Sequence, residues 1–499
     1  MKLNRIFAAI AALHCGSALA LPPTETPDIE IYMAGSTGQD FNLELLFDDL
    51  CVAGTLDTYY DGPTGSAGTQ HRAYFCNLDT SKVSGLSTTT PKVLLHKTSV
   101  SGGKGGSGLG VNPVMLKQPL DAMSIKNNNC QQPVNGEKFW RCRITNPGDI
   151  IQQVPDAGIS DVNPEMFTGP NTPQGVAPVD AAKVAKLLEV HSGGALVFNT
   201  PVTLKLRNAL QAAQLFSGDL PADCTVGNET ARCMPSLNRE LLASIFTGQI
   251  GSWDKVKAVK ADGSSKALTD FGAQGEITDT KIYICRRTNG SGTQAITNAK
   301  ILNAPCTPGA VNPLETSNDL TGPVVKLNAG AGDVDKCLTD FDSGANASKQ
   351  NPNGVKAWAI GIQSTEKNKN ETLAYRFIKI DGVAPTLEEA AAGRYYDVGE
   401  LTYQWLKVGG PTGDKLKILQ RIATDAGKPS VLAVNNKDFV HLFGQGGYLA
   451  ASTSGFSASD TGAFDPNNPV TPYSHAPNGL SLDNCRVPLF DSNAKASRL

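Results

Sequence analysis

Apolar positions along the chain fall into short runs separated by turns of glycine, serine and threonine. "DIEIYMAGSTGQDFNLELLFDDL" reads as a strand over Ile29 to Met33, a Gly-Ser-Thr turn, and an amphipathic helix from about Gln39. The same grammar returns in "KVLLHKTSVSGGKGGSGLG", where an apolar strand enters a Gly/Ser loop, and in "KIYICRRTNGSGTQAITNAKIL", where strand, turn and helix follow one another. "PDAGISDVNPEMF" is an apolar bend ending in Ser160, Asp161 and Pro164, with a helix expected from Ala181. "GGALVFNTPVTLKLR", "VKAWAIGIQS", "YRFIKIDGV" and "LTYQWLKV" read as buried strands. "LNRELLASIFTGQI" reads as a helix with Leu237, Leu241, Ile245 and Phe246 on one face, stopping at Gly248. Two polar, cysteine-bearing stretches, 51–90 and 111–153, read as loop-rich insertions, and 451–499 as a tail with little pattern of its own. Alternating strands and helices predict an α/β protein whose sheets are flanked by helices.

Composition narrows the setting. A chain of 499 residues, 40% of them hydrophobic, can bury a large core and is expected to form two domains. Residues 1–20, "MKLNRIFAAIAALHCGSALA", carry Lys2 and Arg5, an apolar run and a small-residue cleavage pattern, which predicts a signal peptide and a periplasmic or secreted product. No other run reaches the roughly 18 apolar residues of a membrane span. Of the eleven cysteines, Cys15 lies in that leader, so ten remain, an even number suited to disulfides in an oxidising compartment. Sequence proximity pairs Cys51 with Cys76, Cys130 with Cys142, Cys224 with Cys233 and Cys285 with Cys306, leaving Cys337 for Cys485. No CxxC pair occurs and the six histidines are scattered, so neither a metal site nor a cofactor is expected. Loss of Lys2 and Arg5 would lower the formal charge of -3 by two, so there is no global basic field for nucleic acid. Any anion site must be local.

The turns supply such a site. A helix start leaves backbone N–H groups unpaired and carries partial positive charge, so a turn of Gly, Ser and Thr between strand and helix suits an anion. Four such turns occur: Ser36-Thr37, the Ser99-Ser101-Gly102 region, Ser160-Asp161, and Ser291-Gly292-Thr293. Each alone is equally the N-cap of an ordinary α/β protein. The last differs in being preceded by Arg286 and Arg287, which point opposite ways on a strand, so that one guanidinium can reach over the loop as a bidentate donor to oxyanion oxygens.

Arg287-Thr-Asn289-Gly-Ser291-Gly292-Thr293 resembles the R-x-D-G-S-G-T motif of the periplasmic phosphate-binding proteins that serve ABC phosphate importers. In the same order, Ala34-Gly-Ser36-Thr37 is similar to that family's first-strand turn G-A-G-A/S-T, Ser160-Asp161 to its G-A-S-D turn, and "LASIFTGQIGSWD" to L-x-x-I-F-x-G-K-I-x-x-W-x-D. "AWAIGI" and "IKIDGVAPTLEEAAAGRYY" follow its last shared strands. The resemblance spans about Ile29 to Trp405, interrupted by the two insertions. It implies a two-lobed α/β periplasmic-binding-protein fold of type II, with lobe 1 over 29–190, lobe 2 over 191–392, and a return to lobe 1 plus tail over 393–499. It also implies inorganic phosphate in the cleft between lobes. Arg287 would give the bidentate contact, and Ser36, Thr37, Ser291, Gly292 and Thr293 would donate. One serine of the stretch Ser99 to Ser107 would join them, with Ser101 the first choice and Ser99 the second. Asp161 would accept the proton of hydrogen phosphate. Sulfate lacks that proton, and a site built around a ligand OH rejects analogues lacking it by roughly 10⁴-fold.

Three features depart from the family's pattern. Asn289 replaces the acid of the arginine loop, Gly38 follows Thr37 where the family carries a larger apolar residue, and the loop "SVSGGKGGSG" is longer and holds Lys104, read as a solvated lysine. An enzyme is not expected, since there is no G-x-S-x-G elbow and no His/Asp/Glu cluster at ligand spacing. The expectation is an extracytoplasmic, monomeric phosphate binder with an ABC permease as partner. The rival is a secreted or cell-surface protein that sequesters phosphate, or adheres, on the same scaffold, or one that binds another oxyanion.

Overall fold

The computed structural model describes residues 21–498 apart from 63–67, 69, 135–136 and 174. The leader read at 1–20, with Cys15, lies outside the described residues. The elements that build the site are, in chain order, β1 (Ile29–Gly35), α1 (Asp40–Leu50), β2 (Lys92–Thr98), β3 (Ala157–Ser160), β4 (Leu188–Asn199), β5 (Val202–Thr203), β6 (Asp279–Arg287), α2 (Gly292–Leu302), β7 (Val324–Asn328), α3 (Ala331–Ser343), β8 (Ala357–Gly361) and β9 (Val398–Leu406).

They form a two-lobed α/β fold of the type II periplasmic-binding-protein kind, with one large sheet in each lobe. The central order of the first sheet is β2-β1-β3-β9-β4, and that of the second is β7-β6-β8-β5. In each, a central strand lies between two later ones in parallel register: Ala34 of β1 faces Thr98 and Gly158, and Cys285 of β6 faces Lys326 and Gly361. In each, the next strand is antiparallel and comes from the other crossing of the chain: β9 returns beside β3, and β5 arrives beside β8. The chain therefore leaves the first sheet at the end of β4, touches it again where Gln363 and Ser364 pair with Asn199 and Phe198, and returns to its centre at β9.

The insertions differ from the loop-rich expectation. Strands Asp57–Asp61, His71–Asn77, Phe139–Cys142 and Cys130–Gln131 continue the first sheet beyond β2. "DTYYD" and "HRAYFCN" are rich in residues that fill a pleated, buried surface, and Tyr59, Tyr74 and Phe75 are fully enclosed. The Gly/Thr-rich turns around them mask that alternation in the sequence.

Two disulfides are also corrected. Cys51–Cys76, Cys130–Cys142 and Cys224–Cys233 join as sequence proximity suggests, but Cys285 pairs with Cys337 and Cys306 with Cys485. The reason is the alternation of β6. Ile284 turns into the core shared with Ile301 and Leu302 at the end of α2, while Cys285 turns to the opposite face, where α3 brings Val334, Cys337 and Leu338. Cys306, following α2, is left to meet the tail.

Candidate functional site

Parallel strands deliver their turns to one edge of a sheet, and a ligand crevice forms where neighbouring connections diverge from a central strand. Here β1 is that strand, flanked by β2 and β3. The carboxylate at the centre is Asp161, one residue past β3 and 2% exposed. Ser36 Oγ donates to its Oδ1, Thr293 Oγ1 donates to its Oδ2 at 3.3 Å, and its own N–H donates to Ser107 Oγ at 3.0 Å. Residues from the turn after β1, the 99–110 loop and the start of α2 thus meet at Asp161, with both lobes contributing. Burial pushes the Asp161 carboxyl above the usual carboxylate range, against the hydrogen bonds from Ser36 and Thr293 and the positive charges of Arg287 and Lys97.

Other donors around it are unused. Neither the backbone N–H nor the buried Oγ1 of Thr37 has a hydrogen-bond partner among the described residues. Ser291 caps α2, its Oγ accepting from Gln294 N at 3.3 Å, which leaves the N–H groups of Gly292 and Thr293 as the open end of the helix. Gly292 is required there by space: a Cβ would run into Ser107 Oγ and lie 2.7 Å from Asp161 Cβ. The lobes also touch backbone to backbone, with Gly108 N donating to Gly290 O at 2.7 Å.

The two arginines separate as strand alternation requires. Arg286 donates to Leu314 O at 2.8 Å and to Asn289 Oδ1 at 2.8 Å, and Asn289 in turn donates to Glu315. Asn289 thus serves the arginine that faces away from the site. Arg287 is 1% exposed and makes no ion pair among the described residues; its Nε and Nη2 donate to the carbonyls of Asn328 (3.3 Å) and Ala329 (2.7 Å). Burial pushes its pKa below the ordinary arginine value, and Asp161 is the largest of the charges opposing that shift. It is an enclosed cation held by backbone dipoles beside Asp161.

Ser99 and Ser101 stand elsewhere. Ser99 Oγ donates to Asp40 Oδ1 at 3.2 Å and accepts from Lys97, one layer behind Asp161. Ser101 lies on a short hairpin with Lys104 and accepts from Asp121 N at 3.0 Å. Ser107 is the serine of that stretch at the site, and its signal is legible: "GGSGLG" repeats the small-residue spacing of "NGSGT". Lys104 is exposed and borders a cavity of about 310 Å³ with Asp180 and Lys183, away from Asp161. Sequence reading missed Lys97 and Asp40, whose spacing carries no motif.

No family model and no curated protein matches this sequence. Solved structures that it is similar to include a Clostridium perfringens protein assigned to phosphate ABC transport as a substrate-binding protein and solved with bound phosphate (12% identity, 81% of this chain and 97% of that one, TM-score 0.41). An ABC-type phosphate transport receptor from Vibrio cholerae is another (12% identity, 79% and 93%, TM-score 0.34). The ancestral soluble variant of the human phosphate-binding protein is a third (12% identity, 94% and 100%, TM-score 0.38).

Proposed function

We propose that the chain binds inorganic phosphate, as the singly protonated dianion, between its lobes and without catalysis. The observation that carries this reading is the buried carboxylate of Asp161, surrounded by Thr37 N–H and Oγ1 and the N–H groups of Gly292 and Thr293, which have no acceptor among the described residues, and by the guanidinium of Arg287, which is held by two carbonyls and has no carboxylate partner there. A tetrahedral anion accepts from these at several oxygens, and its one proton is donated to Asp161. The lobe bounds of this reading are 29–190 with 393–499, and 191–392. Ser36 orients Asp161, Ser107 supplies the hydroxyl expected of Ser101 or Ser99, and Ser291 fixes the helix start.

Between delivery to an ABC permease and sequestration, one feature favours sequestration. Cys306, on the lobe 2 side of α2, is bonded to Cys485 in the tail, and the neighbouring Asn484 is held on lobe 1 by Asn163 (3.0 Å) and by Glu400 N (2.8 Å). A covalent tie across the lobes opposes the opening that release to a permease requires. The five disulfides and the absence of any described helix long and apolar enough to cross a membrane accord with an exported protein. Isothermal titration of the purified chain with phosphate, arsenate and sulfate tests the reading. Saturable binding of the first two and none of sulfate supports it, and equal binding of all three, or of none, contradicts it.

A further inference from the structure

Behind the proposed anion site lies a lysine that no motif marks. Lys97 sits near the end of β2 with its side chain fully buried. Its Nζ is 3.1 Å from Gly35 O, 2.9 Å from Ser36 O, 3.2 Å from Asp40 Oδ1 and 2.9 Å from Ser99 Oγ. An ammonium has three N–H donors and no acceptor, so these four oxygens use all of its capacity, and none is left for a ligand. What Lys97 does must pass through the groups it holds.

Two of those groups are the carbonyls of the Gly35-Ser36-Thr37 turn. A trans peptide is planar, with its C=O and the following N–H pointing in opposite directions. Drawing Gly35 O toward Lys97 sends the Ser36 N–H the other way, where it donates to Ile159 O at 3.0 Å. Drawing Ser36 O toward Lys97 likewise turns the Thr37 N–H away from the lysine, and that N–H has no partner among the described residues. Asp40 and Ser99 complete the cage, Ser99 Oγ donating to Asp40 Oδ1 at 3.2 Å, and Arg72 Nε stands 3.6 Å from Asp40 Oδ2. A buried lysine is costly unless paired and hydrogen-bonded, and here one carboxylate and three neutral oxygens supply that pairing.

We propose that Lys97 is the positioning residue of the anion site: it clamps the Gly35 and Ser36 carbonyls so that the Thr37 amide and hydroxyl are aimed at the bound oxyanion beside Asp161, without touching that ion itself. This rests on the phosphate-binding reading. Its charge, enclosed with that of Arg287, also adds to the field felt by a dianion.

The test compares phosphate titrations of the intact chain and of Lys97→Met, Lys97→Arg, Thr37→Ala and the Lys97→Met/Thr37→Ala double variant, with circular dichroism on each. The expected result is a loss of affinity of about 100-fold in Lys97→Met, recovery to within about tenfold of the intact chain in Lys97→Arg, and a Thr37→Ala penalty at least fivefold smaller in the Lys97→Met background, because the clamp and the hydroxyl act together. A general structural role would leave the two penalties additive. Should Lys97→Met not fold, Lys97→Gln, one atom shorter but with two N–H donors, takes its place in the same cycle. Additive penalties, or unchanged affinity in the lysine variants while the intact chain binds phosphate, overturn the positioning role alone. Failure of the intact chain to bind phosphate overturns the underlying reading and this inference with it.

Discussion

The boundary between the two lobes has a front and a rear, and one helix belongs to both. At the front, α2 begins with open N–H groups facing Asp161, and the lobes approach through glycine, serine and backbone. At the rear, Ala295, Ile296 and Ala299 of the same helix pack with Val162, Met166, Phe167, Leu196 and Leu401 of the other lobe, and Cys306 just beyond it is tied to Cys485. The tail adds polar anchors. Lys300 Nζ donates to Asn484 O at 3.0 Å, and the buried Glu400 accepts from Ser474 Oγ at 2.8 Å and from the backbone of His475. The front leaves polar groups unsatisfied where an anion would satisfy them; the rear is held by apolar burial, worth about 25 cal/mol per Å², together with the tail's hydrogen bonds. Recognition and cohesion are thus carried by one helix, recognition by its open start and cohesion by the apolar face of the turns that follow, so changes to the site's donors should leave the packed face nearly untouched, whereas loosening the rear should speed release at the front.

Substitutions that respect or violate this division sharpen it. The largest expected effect is at the front: Arg287→Ala removes a buried cation beside Asp161 that has no carboxylate partner among the described residues, and phosphate affinity should fall by about a thousandfold, ~4 kcal/mol. The melting temperature of the ligand-free protein should change little, because a buried guanidinium without an ion pair contributes little net stability. Unchanged calorimetric affinity would remove Arg287 from the site.

The next effect belongs to the rear. Replacing Cys306 and Cys485 by serine opens a 179-residue loop and should cost ~4 kcal/mol of stability in denaturant unfolding. It should also raise the phosphate release rate at least tenfold in stopped-flow exchange, while the Arg287 contacts remain intact. Equal release rates with and without this bond would show that the tail does not restrain the lobes.

The smallest effect is a pH dependence at the rear. Burial, with the Lys300 ammonium beside it, pushes His475 down to about 3; the neutral ring donates from Nδ1 to Arg486 O at 2.6 Å and presents Nε2 as acceptor to Lys300 Nζ at 3.3 Å. The unfolded chain regains an ordinary imidazole near 6.5, so between those values the unfolded state binds one more proton than the folded state. Stability from this group is therefore present above about 6.5 and is lost as pH falls toward 3, on the order of 3 kcal/mol between pH 6.5 and 4. Lys300, Arg486 and Glu400 are the charged groups facing it. In His475→Asn the acid limb of the unfolding curve should flatten by that amount with phosphate affinity unaltered at pH 7; an unchanged slope would assign the acid lability to other groups.

How far the site was legible in the sequence follows from which interactions are local. The strand-turn-helix grammar identified Ser36, Thr37, Asp161, Arg287 and Ser291 to Thr293, because a turn's chemistry is written in consecutive residues. Ser107 was harder to select, since a ten-residue Gly/Ser loop offers three serines and only the three-dimensional path decides which one reaches Asp161. Lys97 was invisible: an apolar strand ending in "LLHKT" shows no sign that its lysine turns inward. The exchange of partners among Cys285, Cys306, Cys337 and Cys485 has a related cause. The face of β6 on which each residue falls, not the distance along the chain, sets which sulfurs meet.

The central claim is that Asp161 accepts a proton from the bound anion, and calorimetric titration at pH 8 of the intact chain and of Asp161→Asn with phosphate and sulfate tests it most directly. At that pH phosphate is chiefly the singly protonated dianion and sulfate carries no proton. The intact chain should bind phosphate at least 10³-fold more tightly than sulfate, and Asp161→Asn, which can donate as well as accept, should bring the two within about tenfold. Tight sulfate binding by the intact chain, or a preference for phosphate that survives in Asp161→Asn, would contradict the account.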